Sequence, residues 1–433
     1  TYTGATGVGG TLTLDGAAQL GGGTYAGAIS IATAGKLVVN SSANQILSGV
    51  ISGDGSFTQS GLGTTTLSGA NTYTGATTVS GGILVAGHAG AFGGTSTAAI
   101  VFESGSTGTV RWNGNNITVV GLNTNATPGT PVIESGSNAP GTDTLTLDAG
   151  RTTTGALSNS TYAGVLQNGA TRLLALVKNG PADLTLSGSS TYTGGTTVNA
   201  GSLTLANQNG LGTGTLTLAE ASLFQQAVFE GNTAAGAIAN VLNLSGGQVF
   251  FNIPSTQKDI WLDQDVSGPG AMRLLSDASG RTLTLSGAKT FLGGIRQTSG
   301  SLISTGTGSS QYPSVAIDNV ASLGTGTFRA QIIGSDSTKG VLRTLADLSG
   351  GAGVANAFEI AASSRLVLEA SDTNHLKLSG AITGGGSLVK TGSARLTLAG
   401  NNTYTGSTTI STGTLLATHP AAFGGTSGVT VAS

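Results

Sequence analysis

The sequence predicts an all-β protein wound as a single-stranded parallel β-helix, on the basis of its composition, its short strand-like segments and its internal repetition. Of 433 residues, 73 are Gly and only 8 % are charged, although 38 % are hydrophobic. Because a soluble globular protein usually carries about 25 % charged residues, most of the polar surface here must consist of Ser, Thr, Asn and Gly. Thr and Val favour strands, whereas Gly and Asn tolerate the positive φ angles of tight turns.

One segment recurs four times around a turn that contains an aromatic residue. The copy ARLTLAGNNTYTGSTTISTGTLLAT begins at Ala394, and a partial fifth copy opens the chain. The repeated regions lie near 1–16, 48–87, 174–206, 265–305 and 378–418. Uneven intervals between the copies are typical of solenoids, in which whole coils can be inserted. We expect structural roles for the aromatic residues and for their Asn and Gly neighbours, namely Tyr73, Tyr192, Phe291, Tyr404, Asn71, Asn402, Gly75, Gly194 and Gly406.

Each copy contains three short strands. Leu396 and Leu398 alternate with Thr397, which is the period-2 pattern of a half-buried strand. Similarity joins segments a coil or more apart, so like strands should stack on like strands, as in a parallel β-helix. We expect Leu396 and Leu398 to pack inward. Because the first copy is entered in mid-repeat, we expect 1–433 to be one continuous β-helical section of a longer chain.

The segment from Gly384 resembles the passenger-associated transport repeat of Gram-negative autotransporters. Its pattern, roughly LxKxGxGxLTLxGxNTYTGGTTVxxGTL, is matched at Leu388, Lys390, Gly392, Leu396, Leu398, Gly400, Asn402, Thr403, Tyr404, Thr405, Gly406, Thr408, Thr409, Gly413 and Leu415. The copy from Leu176 through Leu205 matches nearly as well. The copy around Phe291 departs from it, because Leu292 replaces the usual Thr and Ile295-Arg296 interrupt the Thr pair.

This resemblance implies a right-handed β-helix, export through the outer membrane, and an extracellular or cell-surface location. Autotransporters also have a C-terminal β-barrel, and we expect contact with the outer membrane only through such a barrel outside these residues. The implied partners are neighbouring coils of the same longer polypeptide, or like molecules, and surface glycans are a further possibility. Nucleic acid is a poor partner because the net charge is −2 and no basic block is present.

The sequence gives no catalytic, cofactor or metal motif. It lacks a nucleophile elbow, a Walker A loop and an HExxH zinc motif. It has no cysteine, which excludes thiolate metal sites. His88 and His419 occupy the same repeat position, so we interpret both as structural, and we interpret His375 as a solvated strand residue. The segment from Gly350 resembles a calcium-binding nonapeptide, but Ala355 stands where that motif needs Asp, so we expect no metal there.

The densest cluster of charges gives the one candidate surface site. Asp263 and Asp265 are two residues apart and would share a face on a strand, Trp261 would lie on the same side, and Arg273 follows one turn later. Asp259 completes the set. Polysaccharide lyases with a β-helix combine acidic calcium sites with a basic residue, but aligned on the SGxG turn these aspartates occupy ordinary repeat positions.

Three functions fit these observations. We favour an extracellular structural stalk or adhesin segment of an autotransporter-like protein, which is not an enzyme. The first alternative is a self-assembling extracellular fibre or surface-layer subunit. The second is a polysaccharide-active β-helix enzyme with its site between Asp259 and Arg273.

Overall fold

A computed structural model describes residues 2–93, 99–136, 139–150, 158–219, 227–230, 237–252, 259–275, 281–298, 314–331 and 339–432. The chain divides into two compact units, Thr1–Leu216 and Thr217–Ser433. Both are built from short strands, and the first also has a 3₁₀ turn at Gly21–Gly23. Over the described ranges, no helix has the length and apolar character needed to span a membrane.

The strands of the first unit are Thr6–Val8 (β1), Thr11–Gly16 (β2), Thr24–Tyr25 (β3), Ile29–Ile31 (β4), Lys36–Ser41 (β5), Gln45–Leu47 (β6), Ile51–Ser52 (β7), Ser56–Gln59 (β8), Thr64–Leu67 (β9), Thr77–Val79 (β10), Ile83–Ala86 (β11), Ala99–Phe102 (β12), Thr109–Arg111 (β13), Ile117–Val119 (β14), Gly121–Thr124 (β15), Val132–Glu134 (β16), Gly141–Asp148 (β17), Ser160–Tyr162 (β18), Val165–Gln167 (β19), Arg172–Asn179 (β20), Leu184–Leu186 (β21), Thr196–Val198 (β22) and Gly201–Leu205 (β23). The next strand, Leu216–Leu218 (β24), contains the boundary between the units.

The strands of the second unit are Ala227–Glu230 (β25), Leu242–Leu244 (β26), Gln248–Asn252 (β27), Ile260–Leu262 (β28), Val266–Ser267 (β29), Ala271–Leu275 (β30), Thr282–Leu285 (β31), Ile295–Thr298 (β32), Ser314–Ile317 (β33), Phe328–Gln331 (β34), Lys339–Thr344 (β35), Phe358–Ile360 (β36), Arg365–Glu369 (β37), Leu376–Leu378 (β38), Ile382–Thr383 (β39), Ser387–Thr391 (β40), Arg395–Leu398 (β41), Thr408–Ile410 (β42), Thr414–Ala417 (β43) and Val429–Val431 (β44).

Successive strands of one sheet are one coil apart, so each unit is a parallel β-solenoid. In the first unit one sheet has the order β15-β12-β10-β8-β5-β2, and in the second unit another has the order β28-β31-β33-β35-β37-β40-β42-β44. In the latter, Leu388 lies in register with Thr408, which pairs in turn with Val429. These pairings are parallel, which confirms the predicted all-β solenoid. Its right-handed winding stays a prediction, as does one continuous helix over 1–433.

The core is the column of side chains inside the coils. Leu396 and Leu398 are fully buried, which confirms their predicted inward direction. Along β41 and its neighbours in the same sheet, Leu376, Leu396 and Leu415 follow one another in register. Burying apolar area is the main favourable contribution to folding, at roughly 25 cal/mol per Å². Each inward ladder therefore contributes to stability at every coil it crosses.

The turn before β40 requires glycine. Gly384 has a φ of +101°, and a Cβ built on it would lie 2.1 Å from the carbonyl oxygen of Ile360 in the preceding coil. Gly53 and Gly268 take the same conformation at the equivalent turns, with φ angles of +96° and +100°. The next residue, Gly385, meets nothing closer than 3.4 Å. Close stacking of coils therefore fixes glycine at the first of these two positions only.

Replacing Gly384 with Ala should lower the free energy of unfolding by roughly 1–3 kcal/mol, because the new Cβ adds backbone strain and a clash with the coil below. Thermal and urea unfolding of the 433-residue chain would measure the change. Gly385→Ala is the matched control and should change stability by less than about 1 kcal/mol. Equal effects of the two substitutions would contradict the assignment of the clash to stacking at Gly384.

Candidate functional site

The aromatic residue of the repeat forms a buried hydrogen bond with a threonine four residues later. The hydroxyl oxygens of Tyr73 and Thr77 are 2.6 Å apart, and both residues are fully buried. The same bond joins Tyr404 to Thr408 at 2.6 Å. Burial raises the pKa of the Tyr73 phenol well above its ordinary value, although the bond to Thr77 opposes the shift. The bond closes the turn between the first and second strands of the repeat.

In the copy at 281–305, of which the structure describes 281–298, both partners of this bond are replaced together. Phe291 stands in place of the tyrosine and Ile295 in place of the threonine, and both are buried. A buried hydroxyl without a partner costs about 1–3 kcal/mol, whereas replacing both partners with apolar groups can be nearly neutral. Replacing both residues together therefore costs less stability than replacing only one of them. The departures at these positions therefore preserve the packing of the turn.

The asparagine of the turn joins three coils. The backbone N–H of Ile51, in the preceding coil, donates to Asn71 Oδ1 at 2.8 Å, and Asn71 Nδ2 donates to the carbonyl of Ala91 at 2.7 Å. Asn402 repeats the arrangement with Ile382 N at 2.8 Å and Ala422 O at 2.6 Å. A side-chain amide suits this place because it both donates and accepts.

The repeat glycines Gly75, Gly194 and Gly406 also lie where coils meet. A Cβ on any of them would come within 2.4 Å of a carbonyl oxygen in the preceding coil, so no side chain fits there. The structure gives each of these glycines a packing role.

Two fully buried lysines lie in the repeats. Lys178 Nζ donates to the carbonyls of Gly180 and Ala200 at 3.2 and 2.9 Å. Lys390 Nζ donates to the carbonyls of Thr391 and Gly392, each at 2.6 Å. In the first complete copy Gln59 takes this place, and its amide donates to the carbonyls of Gly61 and Gly63. The polar head groups therefore donate to turn carbonyls of their own or the next coil, and two of these carbonyls, those of Gly63 and Thr391, also accept from a backbone N–H.

Sequence reasoning gave these lysines no role beyond matching a motif. The available signal was a charged residue at an inward position of an alternating strand, as in Leu388-Val389-Lys390. Burial lowers the pKa of Lys178 to about 8, although Asp183 and Asp148 oppose the shift. Burial likewise lowers the pKa of Lys390, opposed by Glu369.

Two members of the candidate surface site lie at β28, Asp259 immediately before the strand and Trp261 in its middle. Asp259 Oδ1 accepts a hydrogen bond from the backbone N–H of Thr282 at 3.0 Å. Trp261 is 46 % exposed, and its indole N–H donates to Ser286 Oγ at 2.8 Å. Both side chains thus bind the following coil.

The other three residues lie on two separate elements, and their joint role as one site stays a prediction. Asp263 and Asp265 lie in the turn after β28, where strand alternation does not place them on a shared face. Burial lowers the pKa of Lys289, and the negative charges of Asp265, Asp318 and Asp263 oppose the shift. Lys289 Nζ donates to the carbonyls of Gln264 and Ser286, each at 2.5 Å. Arg273 lies on β30, which belongs to a different sheet from β28.

The histidines have local roles in the repeats. His88 Nδ1 accepts from the backbone N–H of Gly90 at 2.9 Å, and His419 Nδ1 accepts from that of Ala421 at 3.0 Å. His375, which is half-buried, accepts from the backbone N–H of Arg395 at 2.9 Å. Among the described residues, no group of three or more His, Asp and Glu side chains is arranged to hold a metal ion.

Comparison with known families identifies the repeats. Residues 57–86, 176–205 and 388–417 match the passenger-associated transport repeat. The copy around Phe291, with its paired replacements, lies outside these three segments. Neither a search of curated proteins nor a search of solved structures found a match. The chain is therefore a β-solenoid that carries three passenger-associated transport repeats. This combination is consistent with the passenger domain of an autotransporter. The matched segments contain the Tyr73–Thr77 and Tyr404–Thr408 hydrogen bonds and the turn asparagines Asn71 and Asn402.

We expect a double-mutant cycle to show the Tyr73–Thr77 coupling. Tyr73→Phe and Thr77→Val should each lower the free energy of unfolding by about 1–2 kcal/mol, because each leaves one buried hydroxyl unpaired. The double variant, which makes both positions apolar as they are at Phe291 and Ile295, should cost less than the sum of the two. Urea unfolding of the four proteins measures the coupling. Strict additivity would mean that the hydrogen bond contributes nothing.

Stability should depend on the protonation of Lys178. Its pKa is about 8 in the folded chain and about 10.4 in an unfolded one. Between these values the unfolded chain binds more protons, so the free energy of unfolding should rise from pH 8 to about pH 10. Lys390 and Lys289 shift in the same direction and add to the rise. Above about pH 10 the raised pKa values of Tyr73 and Tyr192 reverse it, because the folded chain then holds the extra protons.

Chemical unfolding across this pH range, in the parent chain and in Lys178→Met, measures the effect. The substitution should remove part of the rise and leave the decline at higher pH. An unchanged slope in Lys178→Met would show that Lys178 does not titrate in this window.

Proposed function

We propose that the chain is a structural segment of an autotransporter passenger, a stalk or adhesin displayed on the cell surface, with no catalytic activity of its own. The main support is that the buried polar side chains of the repeats form hydrogen bonds within and between coils. Tyr73, Asn71 and Lys178 each bind groups of the same or a neighbouring coil, so their chemistry is used for stacking. The three matched repeats belong to a family named for passenger transport.

The outer surface supports a stalk or adhesin role. Outward positions of neighbouring coils carry threonines in register, such as Thr58 with Thr78 and Thr409 with Thr430. Such rows offer many weak hydrogen bonds along a flat face, which suits adhesion through numerous shallow contacts. The candidate acidic residues support no competing active site, because Asp259 and Trp261 bind the next coil and Arg273 lies on another sheet.

One experiment with two readouts tests the proposal. An antibody against this chain should label intact cells of the organism that encodes it, without permeabilisation, because a displayed passenger is accessible. The purified chain, supplied with calcium, should release no fragments from polygalacturonate. Asp263→Ala should be indistinguishable from the parent chain in both respects.

Two results would contradict the proposal. Labelling that appears only after permeabilisation would place the chain inside the cell. Release of polysaccharide fragments that is abolished by Asp263→Ala would make the chain an enzyme.

A further inference from the structure

A row of three arginines crosses consecutive coils of the second unit. Arg273 on β30 lies in register with Arg296 on β32, which lies in register with Arg329 on β34. The next rung is Glu359 on β36. Neighbouring strands are about 4.8 Å apart, so the backbones of the three arginines follow one another along one face of the solenoid at that spacing.

The arginines point outward. Their strand neighbours Met272, Leu274 and Ala330 are buried, whereas the arginines themselves are half-exposed. Arg273 lies over the ring of Phe250, with its Cζ 5.1 Å from the ring centre, which fixes the guanidinium by a cation–π contact. The aromatic ring thus positions the first charge of the row.

The charge of this row is only partly neutralised. Arg329 forms an ion pair with Glu359 at 2.7 Å. Within the described residues, neither Arg273 nor Arg296 has an ion-pair partner. Burial, and then the positive charge of Arg296, hold the pKa of Arg273 below its ordinary value. Guanidinium nevertheless stays charged in proteins. Arg273 and Arg296 are therefore two neighbouring cations with no ion-pair partner in the described part of the chain.

The arginines also line one small pocket. Its lining includes Gln248, Arg273, Gly293, Arg296, Thr327 and Arg329. A Cβ on Gly293 would lie 2.4 Å from the backbone nitrogen of Ala271, so this glycine is required by the stacking of the coils. A pocket lined by three arginines suits an oxyanion, because guanidinium donates charge-assisted hydrogen bonds to such groups.

We propose that this arginine row binds the carboxylate or sulfate groups of an acidic polysaccharide that lies along the face of the solenoid. Guanidinium binds such oxyanions in a bidentate manner, with charge-assisted hydrogen bonds. A polymer with repeated charges matches a row with repeated cations. Nucleic acid is the less suitable polyanion, because its affinity comes from many phosphate contacts and the net charge of the chain is −2. The choice of a polysaccharide as the ligand rests on the proposed surface display. The preference for an oxyanion rests only on the arginines.

Binding of the intact 433-residue chain to four probes tests the proposal: heparin for sulfate, polygalacturonate for carboxylate, neutral dextran, and duplex DNA. Titration calorimetry at low ionic strength should detect binding of heparin or polygalacturonate and give no signal for dextran. The affinity for the acidic polysaccharides should fall when salt is added. Arg296→Gln should reduce affinity about tenfold, because it removes a charge-assisted pair.

Two further variants separate binding from folding. Arg395→Gln is the matched control, because it removes an exposed arginine of another sheet in the same unit and should leave affinity unchanged. Glu359→Gln should tighten binding roughly two- to fivefold by freeing Arg329, a gain that misfolding cannot produce.

Three results would overturn the inference: no binding to either acidic polysaccharide, equal losses in Arg296→Gln and Arg395→Gln, or tighter binding to DNA than to both polysaccharides. Failure of surface display would leave these affinities unchanged, and turnover of polygalacturonate would be seen as fragment release rather than as binding. The two proposals can therefore fail separately.

Discussion

The parallel, in-register stacking of each coil on the one before it is the constraint on which the other features depend. Because backbone N–H groups of one coil donate to carbonyls of the next, every residue lies beside its counterpart one coil away, as Leu388, Thr408 and Val429 do. An inward position is therefore filled mainly by apolar groups from coil to coil, as at Leu376 and Leu396. A turn that touches the coil below has no space for a side chain, and this is the reason for the glycine at Gly384.

Several polar groups inside the column are accompanied by a hydrogen-bond partner. Tyr73 is accompanied by Thr77, and where the tyrosine becomes Phe291 the threonine becomes Ile295. Lys178 reaches turn carbonyls with its ammonium group, and Gln59 reaches the equivalent carbonyls with an amide. Pairing matters inside the column because most buried polar groups of native proteins have a hydrogen-bond partner.

The period-2 pattern and the recurrence of the repeat were sufficient to predict the parallel solenoid and the inward direction of Leu396 and Leu398. The candidate site was less predictable, because it depends on where each coil turns. Asp263 and Asp265 follow a strand that ends at Leu262, and so they fall in a turn rather than on a face. The arginine row could not be predicted from the sequence, because its residues are unevenly spaced along the chain. Only the register of coils with different lengths brings Arg273, Arg296 and Arg329 into one row.

The arginine row differs from other places where an arginine on one strand lies opposite an acid on the next. Arg111 lies in register with Glu134, and Arg343 with Glu369, and both form ion pairs with these acids. A stacked solenoid places like side chains next to one another, and opposite charges across strands are favourable whereas like charges oppose folding. A row that places Arg273 beside Arg296 gives up this stabilisation. In the part of the chain that the structure describes, neither of these two cations forms an ion pair, so a ligand that supplies an acidic group would give the row a physical reason.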